Sequence, residues 1–278
     1  MTSSIVKILF IGDLVGRPGR SITATLMPRL RREYEPDLVI ANGENSAGGA
    51  GITSSAIAKM KHYGIKVITS GNHIYDKKEI FSFIDHEPRL IRPANWPPNH
   101  PGRGWLVETL PSGIRVGVLN LIGRIFMKPA DCPFRKADEV LETLRHEAEV
   151  ILVDFHAEAT AEKQCMGWYL DGRVTAVIGT HTHIPTADEH ILPSGTAYIT
   201  DVGMTGPHDS VIGVRKEQSL RRMKDLLPVQ YKVAEGDLQL HAVLVEADGS
   251  SGKAHSIKRI AMRIDEVPEE ISRNEKDD

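Results

Sequence analysis

Five segments of the chain place a side chain able to hold a cation or move a proton directly behind an apolar run. Ile5 to Ile11 runs into Gly12-Asp13, and Asp37 to Ala41 runs into Asn42-Gly43-Glu44-Asn45. Ile65 to Ser70 runs into Gly71-Asn72-His73. Val150 to Phe155 ends on His156, and Thr175 to Thr180 ends on His181-Thr182-His183. Carboxylates, carboxamides and imidazoles without a thiolate suit iron, manganese or another six-coordinate ion better than a four-sulfur zinc site. Asp13, Glu44, Asn45, Asn72, His156, His181 and His183 also outnumber the ligands of one tetrahedral zinc. They read as a set for two ions with a shared carboxylate.

Taken singly, several of these residues have a plainer reading. Asp13 could cap the helix that follows it, NGENSAGG could be an ordinary turn, and His156 could be structural. Two histidines spaced by two are harder to assign to a core, because an extended segment points both to one side. The coincidence of five strand ends points to one shared site. Among the eight remaining histidines, His208 in TGPHDS is the one that a Gly-Pro loop could carry near it. The glycines of IGDLVGRPGR suggest a phosphate cradle, but the loop lacks the Lys-Ser/Thr ending of a P-loop and does not make GxGxxG. Gly12 is read as the tight turn that lets Asp13 point inward.

The elements that must position these side chains follow from apolar periodicity. Asp13 to Glu44 is 31 positions and Glu44 to Asn72 is 28, each about one βαβ unit of roughly 30 residues. Near-continuous apolar strands alternating with single helices predict parallel pairing in a sheet covered on both faces. Ligands in such sheets bind beyond the carboxyl ends of the strands. A helix is predicted from Ser21 to Tyr34, kinked or split by Pro28. WLVETLPSGIRVGVLNLI predicts a hairpin. After His183 the pattern turns antiparallel, through EHILPSGTAYIT, PVQYKVA, LQLHAVLVEA and HSIKRIAMRI. A mixed sheet, or two stacked sheets, with helices outside is expected. A single domain covers residues 1–264. The segment 265–278, with seven acidic and two basic residues, is expected to be a disordered, solvated end.

Composition narrows the partners. The 278 residues carry a formal net charge of −3, which gives no basic footprint for an extended nucleic-acid surface. Cys132 and Cys165 form no CxxC or zinc-ribbon pattern and are read as small buried residues of a protein in a reducing compartment. No signal-peptide pattern or membrane-length apolar run is present, so a cytoplasmic location is expected. Edge strands and the 203–214 loop are the candidate surfaces for a homo-oligomer.

The motif GNH, a lone histidine after a strand and a terminal His-Thr-His resemble the calcineurin-like binuclear metallophosphoesterases. GDLVGRPGR, ANGENSAGG, SGNHIYD, VDFHAEAT, GTHTHIPTAD and DVGMTGPHDSVIG resemble, within that superfamily, the YmdB-type phosphoesterases. The general superfamily opens with Asp-x-His and carries a bridging aspartate. Here Asp13-Leu14-Val15 has no histidine and Glu44 stands in the bridging position, a pattern the YmdB-type group shares. The resemblance implies that Asp13, Glu44, Asn45 and His183 hold one ion and that Glu44, Asn72, His156 and His181 hold the other. It also implies an α/β fold built as a four-layer α/β/β/α sandwich, with hydrolysis of phosphodiesters, including 2′,3′- and 3′,5′-cyclic nucleotides.

The expected mechanism uses two divalent or trivalent ions, iron and/or manganese, to activate a bridging hydroxide, with His73 as general acid for the leaving oxygen. Two other functions use the same residues: a metal-dependent amide or ester hydrolase, and a regulatory metal- and cyclic-nucleotide-binding protein with little turnover. A dinucleotide-dependent dehydrogenase fails for want of the glycine fingerprint.

Overall fold

A computed structural model describes residues 5–275 of the chain. The first part builds β1 (Ile5–Ile11), β2 (Asp13–Leu14), α1 (Gly16–Tyr34), β3 (Leu38–Asn42), α2 (Ser54–Tyr63) and β4 (Val67–Thr69). The chain then crosses to β5 (Trp105–Thr109), β6 (Arg115–Ile122), α3 (Pro133–Glu147), β7 (Val150–His156), α4 (Thr160–Leu170) and β8 (Ala176–Thr180). It continues through β9 (His190–Ile191) and β10 (Ala197–Ile199). It returns by β11 (Met204–Pro207), α5 (Lys216–Asp225), β12 (Leu238–Asp248), β13 (Ala254–Ile264) and α6 (Glu269–Asn274).

Two sheets result, one ordered β2-β11-β12-β1-β3-β4 with β13 on β12, the other ordered β5-β6-β7-β8-β10-β9. Alternation along each strand sorts the apolar side chains into three cores. Ile8 and Phe10 of β1 meet Val116, Val118, Leu152 and Ile178 between the sheets. Leu9 and Ile11 face the other way, onto Ile22, Leu26 and Leu30 of α1 and Ile57 and Met60 of α2. Leu119, Leu121, Val153 and Phe155 pack beneath Leu141 and Leu144 of α3 and Met166 and Leu170 of α4. Three cores separate four layers, α/β/β/α, as the metallophosphoesterase resemblance implied.

The parallel registers set the functional edge. Ile11 is level with Ala41, and Asn42 with Thr69. In the second sheet Ile122, His156 and Thr180 are level. The carboxyl ends of both parallel sets therefore finish together.

Four features differ from the sequence reading. Helix α1 starts at Gly16 and runs through Pro28 unbroken. Pro28 lies on the exposed face and Ala24 is only half buried, so water can reach the Ala24 carbonyl that loses its intrahelical donor. PVQYKVA forms no strand, only a bridge between Val214 and Val233. Cys165 is exposed on the outer face of α4 and Cys132 is half buried. The segment expected to be disordered carries α6 and the buried Glu275, whose Oε2 accepts a hydrogen bond from Arg20 Nε at 2.7 Å. Residues 276–278 lie outside the described residues. Among the described residues no helix is long and apolar enough to cross a membrane.

Candidate metal centre

The first candidate ligand is set by a close approach rather than a turn. A Cβ on Gly12 would stand 1.9 Å from the Gly203 carbonyl oxygen, so only glycine lets the 201–203 segment cross behind Asp13. Asp13 does not cap α1; its N-cap is Val15, without a side-chain bond. Asp13 is fully buried, its Oδ2 accepts from the His181 N–H at 3.2 Å, and its Oδ1 has no hydrogen-bond partner. Burial pushes this carboxyl above its ordinary range, against the pull of His183 and His156.

Glu44 follows β3 on a turn stabilised by Asn42, whose Oδ1 accepts from the Glu44 N–H at 3.1 Å. Its Oε1 stands 2.9 Å from His156 Nε2 and its Oε2 accepts from the His73 N–H at 2.9 Å. Burial works against its charge, yet His156 and the His73 backbone hold it at about 2. Asn72 Oδ1 and His181 Nδ1 approach the same His156 Nε2, at 3.0 and 3.1 Å. Glu44, His156 and His181 offer ligand atoms all within 4.8 Å of one another. Burial opposes charge on His156, but Glu44, Asp13 and Asp154 outweigh it and raise the imidazole to about 9. Burial and the neighbouring His156 push His181 down to about 3.

Asn45 and His183 complete the cluster. Asn45 Nδ2 is 3.1 Å from His183 Nε2 and 3.5 Å from Glu44 Oε1, while Asn45 Oδ1 is buried without a partner. A half-turn of the carboxamide exchanges the two atoms. Asp13 Oδ1 lies 3.9 Å from His183 Nε2 and 3.9 Å from His156 Nδ1. All seven side chains read from the sequence as a ligand set thus converge at one edge.

The set fits a cation. His156 Nε2 carries at most one proton, yet Glu44 Oε1, Asn72 Oδ1 and His181 Nδ1 all crowd it. Asp13 Oδ1 and Asn45 Oδ1 add two buried oxygen acceptors with no donor of their own. Surplus electron pairs in a buried space match the hard, oxygen- and nitrogen-liganded ions that the donor types suggested.

Residues beyond the seven fix their orientation. Thr180 Oγ1 donates to Asp154 Oδ1 at 2.7 Å, which leaves it to accept from His156 Nδ1 at 2.9 Å. Nδ1 therefore carries a proton, and Nε2 faces the cluster. Asp154 is also bound by Thr69 Oγ1 and by Asn42 Nδ2, and burial pushes it up to about 7. His183 Nδ1 donates to the Ile212 carbonyl at 2.9 Å, and His181 Nε2 lies 3.1 Å from Glu158. His73 Nδ1 is held by Asp76 at 2.6 Å, and Lys128 Nζ donates to the Asn72 carbonyl at 2.7 Å.

The two terminal histidines reach the cluster by a route the alternation argument did not give. His181 has φ 101° and His183 φ 66°, left-handed values costly for a side-chain-bearing residue. Asp201, paired with the buried Lys163 at 2.6 Å, accepts from the Thr182 N–H at 3.0 Å and pins this turn. The supporting groups Asp154, Thr180, Asp201 and Asp76 were missed. Only Asp76, three residues after His73, had a local signal. His208 lies outside the ligand set: its Nδ1 donates to the Gly206 carbonyl at 3.1 Å, its ring packs on His241, and burial lowers its pKa.

A family model described as YmdB-like protein matches residues 9–260. A 2′,3′-cyclic-nucleotide 2′-phosphodiesterase of Bacillus subtilis is 48% identical over 262 residues, covering 94% of this chain and 99% of that protein. Among solved structures, a hypothetical protein from Thermus thermophilus superposes with a TM-score of 0.88 at 40% identity, covering 93% of this chain and 99% of that one. A novel phosphatase of Mycoplasma pneumoniae superposes with a TM-score of 0.89 at 34% identity, covering 100% of this chain and 98% of that one.

Proposed function

The chain belongs to the YmdB-like family and is a phosphoesterase, and from that premise we propose that it is a binuclear metal-dependent phosphodiesterase acting on cyclic nucleotides. The convergence of Glu44 Oε1, Asn72 Oδ1 and His181 Nδ1 on His156 Nε2 carries this reading. Asp13, Glu44, Asn45 and His183 would hold one ion; Glu44, Asn72, His156 and His181 would hold the other. The donor types favour iron or manganese. Such a pair supplies Lewis acidity, neutralising phosphate charge and bringing the pKa of a bound water toward about 7.

The chain's own residues do the rest. The Thr180 hydroxyl and the Ile212 carbonyl accept the Nδ1 protons of His156 and His183 and so aim their Nε2 atoms inward. Asp76 holds His73 Nδ1, and His73 lines the cleft beside Glu44 and Asn45. His73 then delivers the proton on Nε2 to the leaving alkoxide. Thr180→Val removes the hydroxyl that fixes the His156 tautomer, and metal affinity should weaken by about 10–100-fold. Titration against a competing chelator measures it; unchanged affinity would contradict the orienting role.

The function is tested by offering purified protein 2′,3′- and 3′,5′-cyclic nucleotides, a linear diester, a monoester and a carboxylic ester, with and without chelator. Diester cleavage that chelation abolishes and manganese restores is expected. Cleavage of the carboxylic ester alone would make it a carbonyl hydrolase. Tight cyclic-nucleotide binding without turnover would make it a binding protein.

A further inference from the structure

A cleft of about 360 Å³ adjoins the cluster, and its two sides differ in chemistry. Glu44, Asn45, His73, His181 and His183 form one side. The other is mainly apolar, with Val15, Val214, Val233, Tyr231 and the Gly48-Gly49-Ala50 stretch, and Lys232 is its one cation. We propose that this cleft is a nucleobase slot with Tyr231 as its stacking face; the inference rests on the phosphodiesterase reading above and names what lies beyond the phosphate.

Continuity selects the occupant. A phosphodiester held by the ligand cluster has the apolar side as its neighbour, because the same residues line both. A flat, uncharged heterocycle matches that side, whereas a second phosphate would find no basic group among the cleft residues other than Lys232 and the histidines. Gly49 has φ 91°, and a Cβ there would stand 2.7 Å from Val233 Cγ2. Glycine at 49 therefore lets the backbone lie directly against the Val233 side chain.

The wall is tied to the reacting end. Ile212 adopts φ 47° and its carbonyl accepts the His183 Nδ1 proton; that dihedral is strained for a β-branched residue. Val214 pairs with Val233, and Ser210 Oγ accepts from the Gly213 N–H at 2.9 Å. The 210–214 turn therefore fixes both a candidate ligand and one side of the slot, so base and phosphate are held in register. Tyr231, half exposed at the rim, supplies an aromatic face that any base can stack on.

The test compares wild type, Tyr231→Ala and Tyr231→Phe on adenosine 2′,3′-cyclic phosphate and on base-free glycerol 1,2-cyclic phosphate, in manganese. Tyr231→Ala should lower kcat/KM for the nucleotide about tenfold relative to the base-free diester, through KM rather than kcat. Tyr231→Phe should stay close to wild type. Equal losses on both substrates, or none on either, overturn the slot and leave the phosphodiesterase reading standing. A shift in oligomeric state of Tyr231→Ala, seen by light scattering with unchanged substrate preference, would instead assign the face to a second copy and overturn the slot. Wild-type protein that cleaves neither substrate overturns both readings.

Discussion

Glu44→Ala is expected to leave a folded chain that no longer retains a pair of cations and has no measurable diesterase activity. Glu44 is buried, keeps its charge against burial, and is the residue proposed to touch both ions. Unit charges about 4 Å apart repel by roughly 4 kcal/mol at an effective dielectric of 20, and divalent ions repel more. Without Glu44 the only carboxylate left among the seven is Asp13. Glu44→Gln isolates the cause, since it keeps the shape and removes the charge. Metal content by plasma emission, with circular dichroism to confirm folding, reads the result. Two ions per chain in either variant would remove Glu44 from the bridging role.

His73→Ala should keep its metals and lose turnover. The backbone N–H of residue 73 makes the bond to Glu44, so the substitution spares that contact. General acid catalysis contributes about 10²–10⁴-fold, and a loss of that size is expected in kcat for a nucleoside leaving group. Nitrophenolate leaves without protonation, and its loss should be much smaller. Asp76→Asn should fall between wild type and His73→Ala, because it weakens the bond that orients Nδ1. A deficit equal on both leaving groups would mean that His73 positions substrate and moves no proton.

The cluster was legible because each member sits just behind a near-continuous apolar run, a local pattern that parallel strands repeat. Spacing alone placed Asp13, Glu44 and Asn72 side by side. What orients its members was not legible. Thr180 acts on His156 from 24 positions away, Lys163 reaches Asp201 across 38, and Arg20 finds Glu275 across 255. No local periodicity encodes such pairs. The left-handed turn at His181 and His183 was hidden for a related reason. No glycine marks it, and the Asp201 contact that imposes it is tertiary. Residues 231–233 have strand composition, yet they form a cleft wall whose single bridge to Val214 is not a sheet. Glu275 ends a segment that looks solvated by composition, until the buried Arg20 guanidinium gives it a partner.

The most direct measurement is anomalous diffraction from crystals of the wild-type protein loaded with manganese. Two peaks about 3.5–4 Å apart are expected, both against Glu44, one among Asp13, Asn45 and His183 and the other among Asn72, His156 and His181. A single peak, or density that leaves Glu44 untouched, would contradict the account.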